Sequence, residues 1–265
     1  MAGWQDWVGR EEVAEDVLTP ETLRRFTATL EGVVPLPAHP LCLHWCLAAP
    51  ALPASALGQD GHPAKGGFLP PIPLPRRMWA GGEITFHAPL PLGTAITRTS
   101  RIAAIREKQG RTGPLVFVEV AHEFSAGNTM LVSEVQTLVY RTPAPLHRPQ
   151  AEGMGTPTVS LTPDATLLFR YSALTFNGHR IHYDEPYART VEGYPGLVVH
   201  GPLVATLLAN LAEAQAGRSL RHLTYRGASP AIADETLHLF TDAGQLEARS
   251  ANGALVSTAT ASFDI

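Results

Sequence analysis

The chain has 265 residues, 45% apolar and 17% charged, enough to bury a large core in one big domain or two ordinary ones. A formal net charge of −4 gives no basic field for a nucleic-acid partner, and no stretch approaches the roughly 18–20 uninterrupted apolar residues of a membrane span. The acidic start, with Glu11, Glu12, Glu15 and Asp16, is unlike a signal or transit peptide, so a soluble, cytoplasmic protein with no membrane partner is expected.

Thr19-Pro20-Glu21 reads as an N-cap, a first-turn proline and an early acid. Leu23, Phe26 and Leu30 continue at helical spacing, and Gly32 ends the helix. A second short helix is predicted from Pro40 to about Ala48. It would place Cys42 and Cys46 on one face as reduced core residues, since no second ligand pair for zinc exists.

Residues 50–82 are dense in proline and glycine, which predicts no regular structure there. Phe68, Met78 and Trp79 are too apolar for a free linker, so an ordered loop is expected, either a substrate wall or a plain crossover.

From Glu83 the period changes to two: Ile84 and Phe86, Ala95 and Thr97, then Val116, Val118 and Val120 alternate with polar neighbours. Turns at 109–113 and 126–128 separate long strands, and 129–141 completes an antiparallel meander. Residues 143–160 read as a linker between an N-terminal half, 1–142, and a C-terminal half, 161–265.

In the second half Pro202 opens a helix with Leu203, Leu207 and Leu211 on one stripe, and Gly217 closes it. Strands are predicted at 220–226, 236–241, 245–250 and 255–264. Gly113-Pro-Leu115-Val116 with Ala121 is echoed by Gly253-Ala-Leu255-Val256 with Ala261, which suggests a duplicated helix-plus-meander unit.

The chemistry concentrates in 171–184, Tyr-Ser-Ala-Leu-Thr-Phe-Asn-Gly-His-Arg-Ile-His-Tyr-Asp, and in His200-Gly201-Pro202. His179, His182 and His200 can exchange protons near neutrality, and Asn177 can orient a water or carbonyl. Pro202 lacks an N–H, so the Gly201 amide is the natural free donor at the helix mouth, where the dipole favours negative charge. A proton carrier beside an anion-stabilising backbone amide is what enolate chemistry requires.

These segments resemble the second hydratase motif of the MaoC-like hydratase and dehydratase superfamily, a hotdog fold with the pattern Gly-Asp-x-Asn-Pro-Leu-His followed by a His-Gly helix start. The family aspartate falls on Asn177, its Asn-Pro pair on His179-Arg180, its histidine on His182 and its oxyanion amide on Gly201. Asp60-Gly61-His62-Pro63, Gly67-Phe68-Leu69-Pro70-Pro71 and the run Pro75 to Gly82 resemble markers of its double-hotdog branch. That branch includes itaconyl-CoA and mesaconyl-C4-CoA hydratases and type 2 3-hydroxyacyl-thioester dehydratases.

The resemblance implies an α+β double hotdog, each half an antiparallel sheet wrapped around a central helix. It implies a hydro-lyase that adds water to an enoyl-CoA, foremost a C5 dicarboxylic one, without metal or organic cofactor. His182 would carry the proton, Asn177 would orient, and Gly201 would hold the thioester oxygen. Asp184 could supply the missing carboxylate. Arg180, Arg76, Arg77, Trp79 and His200 would contact the substrate, with Arg180 foremost for its carboxylate. The CoA arm would lie between the halves, and a homo-oligomer, a dimer, is expected. Dehydration of plain 3-hydroxyacyl-thioesters and a catalytically silent acyl-CoA-binding hotdog stand as alternatives.

Overall fold

The computed structural model describes residues 3–111, 113–143, 148, 153 and 155–264. Its centre is one antiparallel sheet in the order β1-β3-β4-β5-β2-β7-β10-β9-β8-β6. The first half contributes β1 (Glu11–Val17), β2 (Arg76–Phe86), β3 (Ala95–Gly110), β4 (Gly113–Ala126) and β5 (Thr129–Arg141). The second contributes β6 (Val159–Leu161), β7 (Leu220–Gly227), β8 (Leu237–Asp242), β9 (Gln245–Ser250) and β10 (Leu255–Phe263). Numbered from the start of each half, both halves run 1-3-4-5-2 from the outer edge to the centre, so the fold is duplicated about the β2–β7 junction.

The helices are α1 (Pro20–Leu30), α2 (Ala165–Thr175), α3 (Glu185–Thr190) and α4 (Gly201–Ala216). None is long and apolar enough to cross a membrane. Every residue from Pro202 to Ala212 of α4 is buried, and the helix lies against β7, β8, β9, β10 and also β2. Apolar burial all round a helix fits an element enclosed by sheet. Leu203, Leu207, Leu208 and Leu211 are fully enclosed, each worth about 1.5–3 kcal/mol of transfer free energy. Asn210 is buried among them because its side chain accepts from Leu41 N (2.9 Å) and donates to Leu41 O (3.2 Å) and Thr206 O (2.8 Å). It clamps the N-terminal half onto the central helix.

The halves are unequal in helix. α1 starts as the sequence predicts, with Thr19 accepting from Thr22 N, but it packs on α2. The helix predicted over 40–48 is a single 3-10 turn, Leu43–Cys46, with left-handed backbone at Cys42 and Ala48. A buried carboxylate explains the departure. Glu134 is 3% exposed, so it needs donors; Trp45 Nε1 reaches both its oxygens at 3.1 and 3.0 Å, and His44 Nε2 lies 3.4 Å away. Both cysteines are free thiols.

Regular structure also intrudes where proline and glycine argued against it. β2 begins at Arg76 and carries Gly81 and Gly82 through the junction, where a Cβ would stand 2.4 Å from Tyr225 O and 2.6 Å from Val135 O respectively. These glycines permit close strand approach instead of breaking the strand. Sequence reasoning placed no strand in the acidic start, yet it forms β1, with Glu11 and Glu12 meeting Arg101 and Arg98 of β3 at 3.9 and 3.0 Å. The echo between Gly113 and Gly253 joins non-equivalent strands, since the topological counterpart of β10 is β5, not β4. Of the predicted linker, residues 144–147, 149–152 and 154 lie outside the described residues, as does Thr112 of the first turn.

Candidate active site

The hydratase-like motif is built at the C-terminus of α2. Phe176 caps it in the left-handed region (φ 50°), and Asn177 N donates back to Ser172 O at 2.9 Å. Asn177 Oδ1 accepts the His179 backbone N–H at 3.0 Å, closing an Asx turn that feeds a 3-10 turn over Arg180–His182. His182 is 6% exposed, and its Nδ1 lies 2.6 Å from Val198 O. A carbonyl only accepts, so Nδ1 carries the hydrogen and Nε2 keeps its lone pair.

Burial drives the His182 pKa down to about 3, against the opposing pull of the Val198 hydrogen bond. Burial and the neighbouring imidazoles likewise lower His179 to about 2 and hold His200 well below the ordinary range. At neutral pH this is a row of uncharged rings, with His182 available as a proton acceptor. His200 stacks on His182 at 3.6 Å and 19°, with its Nε2 2.8 Å from Ser172 Oγ. It is fully buried behind His182 and does not line the cavity, which corrects its assignment as a substrate contact.

His182, Asn177 and Gly201 line one cavity of about 1400 Å³ between the two halves. Gly201 is the first residue of α4 and has no intrahelical partner for its amide. His200 supplies no capping side chain, which leaves that N–H to the cavity. The predicted proton carrier and the predicted oxyanion donor therefore share a pocket.

The arginines divide. Arg180 turns away: it binds Asp184 at 2.7 and 3.0 Å, donates to Gln59 O and covers the Tyr187 ring, and neither Arg180 nor Asp184 lines the cavity. Two residues of a 3-10 turn are about 240° apart, so Arg180 cannot share the direction of His182 as it would in a strand. Asp184 is occupied as the N-cap of α3 and supplies no carboxylate to the site. Arg76, Arg77 and Trp79 do line the cavity. Arg76 is held by Glu192 at 3.0 Å, whereas Arg77 makes only a long bond to Pro63 O and has no carboxylate within ion-pair distance among the described residues.

Sequence reasoning missed two residues that the fold brings in. Asp60 and His62, from the loop before β2, also line the cavity, and the His62 ring lies 4.2 Å from that of His179. His179 in turn stands 5.4 Å from His182. The usable signal was a local repeat: Asp60-Gly61-His62 and Asn177-Gly178-His179 share the order of polar side chain, glycine and histidine.

Residues 42–233 match the family model for hydroxyacyl-thioester dehydratase type 2. The mesaconyl-C(4)-CoA hydratase of Chloroflexus aurantiacus is 43% identical over 98% of this chain and 97% of its own length. Among solved structures, HtdX of Mycobacterium tuberculosis superposes with a TM-score of 0.69 at 22% identity, covering 96% of this chain and all of its own. A second M. tuberculosis protein, described as a double hotdog, gives 0.54 at 13% identity over 99% and 98% of the two chains. The sheet wrapped on α4 is thus a hotdog, duplicated within one chain.

Proposed function

The chain belongs to the hydroxyacyl-thioester dehydratase type 2 family, and we propose that within it this protein reversibly adds water to a C5 dicarboxylic enoyl-CoA, itaconyl-CoA or mesaconyl-C4-CoA. The observation that carries the chemistry is the neutral, Nδ1-anchored His182 in one cavity with the unpartnered first amide of α4. The 43% identity to a mesaconyl-C(4)-CoA hydratase across nearly the whole chain supports the substrate class.

The thioester oxygen accepts from Gly201 N–H, where backbone donor and helix dipole favour the negative charge that develops as water attacks. His182 Nε2 takes a proton from that water while its oxygen bonds to the β-carbon. Asn177 orients the reacting groups from its fixed turn. The free carboxylate of the substrate needs a cation, because leaving it unpaired in a largely enclosed site costs several kcal/mol. Arg77 takes this role in place of Arg180, since Arg180 is already neutralised by Asp184. Arg111 and Arg141, which also line the cavity, meet the CoA phosphates in this reading.

The test is a panel of itaconyl-, mesaconyl-C4-, crotonyl- and longer enoyl-CoAs, followed by loss of the conjugated thioester absorbance. The dicarboxylic substrates should react fastest. Arg77→Ala should lower their turnover relative to crotonyl-CoA by at least about tenfold, as expected for loss of a desolvated charge pair. Arg180→Ala should leave that ratio unchanged. Preference for plain chains in the unsubstituted protein would replace this substrate class with 3-hydroxyacyl-thioester dehydration.

A further inference from the structure

The loop from Asn177 to His182 carries an amide and two imidazoles but no carboxylate. The amide is also committed, since Asn177 Oδ1 accepts the His179 backbone N–H. A carboxylate nevertheless lies in the cavity, delivered by the other half of the molecule.

The loop 60–62 is a structural copy of the loop 177–179. Asp60 Oδ1 accepts the His62 backbone N–H at 3.1 Å, as Asn177 Oδ1 accepts that of His179 at 3.0 Å. The two loops cross at their glycines. A Cβ on Gly61 would stand 1.9 Å from Gly178 O, and one on Gly178 would stand 2.7 Å from Gly61 O. Gly61 also has a φ of +85°, so no other residue fits there without displacing the loop. Arg180 N donates to Asp60 O at 2.9 Å and locks the crossing. The Asp60 loop is therefore fastened to the hydratase motif by backbone contacts.

The crossing places the side chains for proton transfer. Asp60 Oδ2 is 3.2 Å from His62 Nδ1, and Asp60, His62, His179 and His182 all line the cavity. Burial opposes the Asp60 charge, yet the His62 hydrogen bonds and Arg77 hold its pKa below the ordinary carboxylate range. An ionised carboxylate accepts only, so His62 Nδ1 carries the hydrogen and Nε2 faces away from Asp60 as the exchangeable position. This is the orienting logic of a carboxylate behind a catalytic imidazole. The titratable and charged groups facing His62 are Asp60, Arg77, His179 and His182.

Building on the hydro-lyase reading, we propose that Asp60 and His62 form a second acid/base pair across the cavity from His182, with Asp60 supplying the carboxylate that the Asn177 loop lacks. In hydration, His182 Nε2 takes one proton from water as the water oxygen bonds to the β-carbon and the π electrons move to the thioester oxygen. Burial lowers the His62 pKa against the opposing pull of the Asp60 hydrogen bond, so His62 is protonated only transiently, from solvent; that imidazolium, held by Asp60, gives its Nε2 proton to the α-carbon. The proton left on His182 returns to His62 through solvent, so one water is added and both histidines are restored. Asp60 acts here as a positioning residue.

The same three side chains could hold a divalent cation, because Asp60, His62 and His179 offer ligand atoms within 4.8 Å of one another. The His62 and His179 rings lie face to face, tilted by 39°, so their in-plane lone pairs do not converge well on one point. The Asp60–His62 hydrogen bond also engages Asp60 Oδ2 and His62 Nδ1 with each other. Both features favour the proton role.

The experiment compares wild type, His62→Gln, Asp60→Asn and His62→Gln/Asn177→Asp by steady-state hydration and by deuterium incorporation at the α-carbon of product in D₂O. His62→Gln should lower kcat by about 10²–10⁴-fold with little change in KM, and should slow α-deuterium incorporation in step with turnover. Asp60→Asn should lower kcat by about tenfold or more and move the alkaline limb of the kcat profile to lower pH, because the imidazolium that must donate loses its counter-charge. Asn177→Asp should restore at least tenfold of the activity lost in His62→Gln. If either single variant keeps kcat within threefold of wild type while folded, the pair is not catalytic. Activity abolished by a chelator and restored by a divalent cation would also overturn it, in favour of a metal. Should His62→Gln fail to fold, Asp60→Asn decides. Wild type inert on every enoyl-CoA would instead remove the hydro-lyase reading itself.

Discussion

Lowering the pH from 7.5 to 5.0 should destabilise this protein through His182 alone by about 2 kcal/mol, a figure that follows from its burial. The unfolded imidazole titrates near 6.5, and burial brings the folded value down to about 3. A folded pKa below the unfolded one means the unfolded state binds more protons between the two values. The stabilisation is then fully present above about pH 6.5 and is lost as pH falls towards about 3. One extra proton bound by the unfolded state costs about 1.36 kcal/mol for every pH step of one. Crossing the roughly 1.5 pH steps from 6.5 to 5 therefore costs about 2 kcal/mol, and the full span about 5. Urea unfolding of wild type and His182→Gln at pH 7.5, 6.0 and 5.0 isolates this contribution. His62, His122, His179 and His200 titrate in both proteins, while only wild type carries the ring at 182. The variant should lose about 2 kcal/mol less than wild type between the two pH extremes. Equal losses would show that His182 is solvated and charged at pH 5, and would remove the argument for a neutral base.

His182→Ala should lower kcat by about 10²–10⁴-fold in the hydration assay without loss of folded structure. Gly201→Pro removes the proposed oxyanion N–H at a first helical position that proline suits, after His200, whose extended backbone (φ −61°, ψ 130°) is what a following proline needs. It should reduce kcat by about 10²–10³-fold, while retention of activity would assign the oxyanion to another donor. Asn210→Ala strands the Leu41 N–H and C=O inside the core and should lower the unfolding free energy by about 2–4 kcal/mol. A loss under about 0.5 kcal/mol by urea titration would mean that water replaces the clamp.

Elements with local causes were legible in the amino-acid sequence. Thr19-Pro20-Glu21 capped α1, the leucine stripe and Gly217 bounded α4, and alternation marked β3, β4 and β5, because caps, turns and periodicity involve residues a few positions apart. The motif around His182 and Gly201 was legible for the same reason. Which distant groups meet was a matter for the folded chain. β1 formed because the sheet offered β3 as a partner, and Gly81-Gly82 became strand because β7 packs against them. A single turn type sent Arg180 away from His182 and into Asp184, and core packing put His200 behind the site instead of in it. Above all, Asp60 and His62, on a loop of the first half, stand beside His179 because two glycine backbones can cross where no side chain fits. Such meetings depend on burial summed over the whole chain, which no short window of sequence contains.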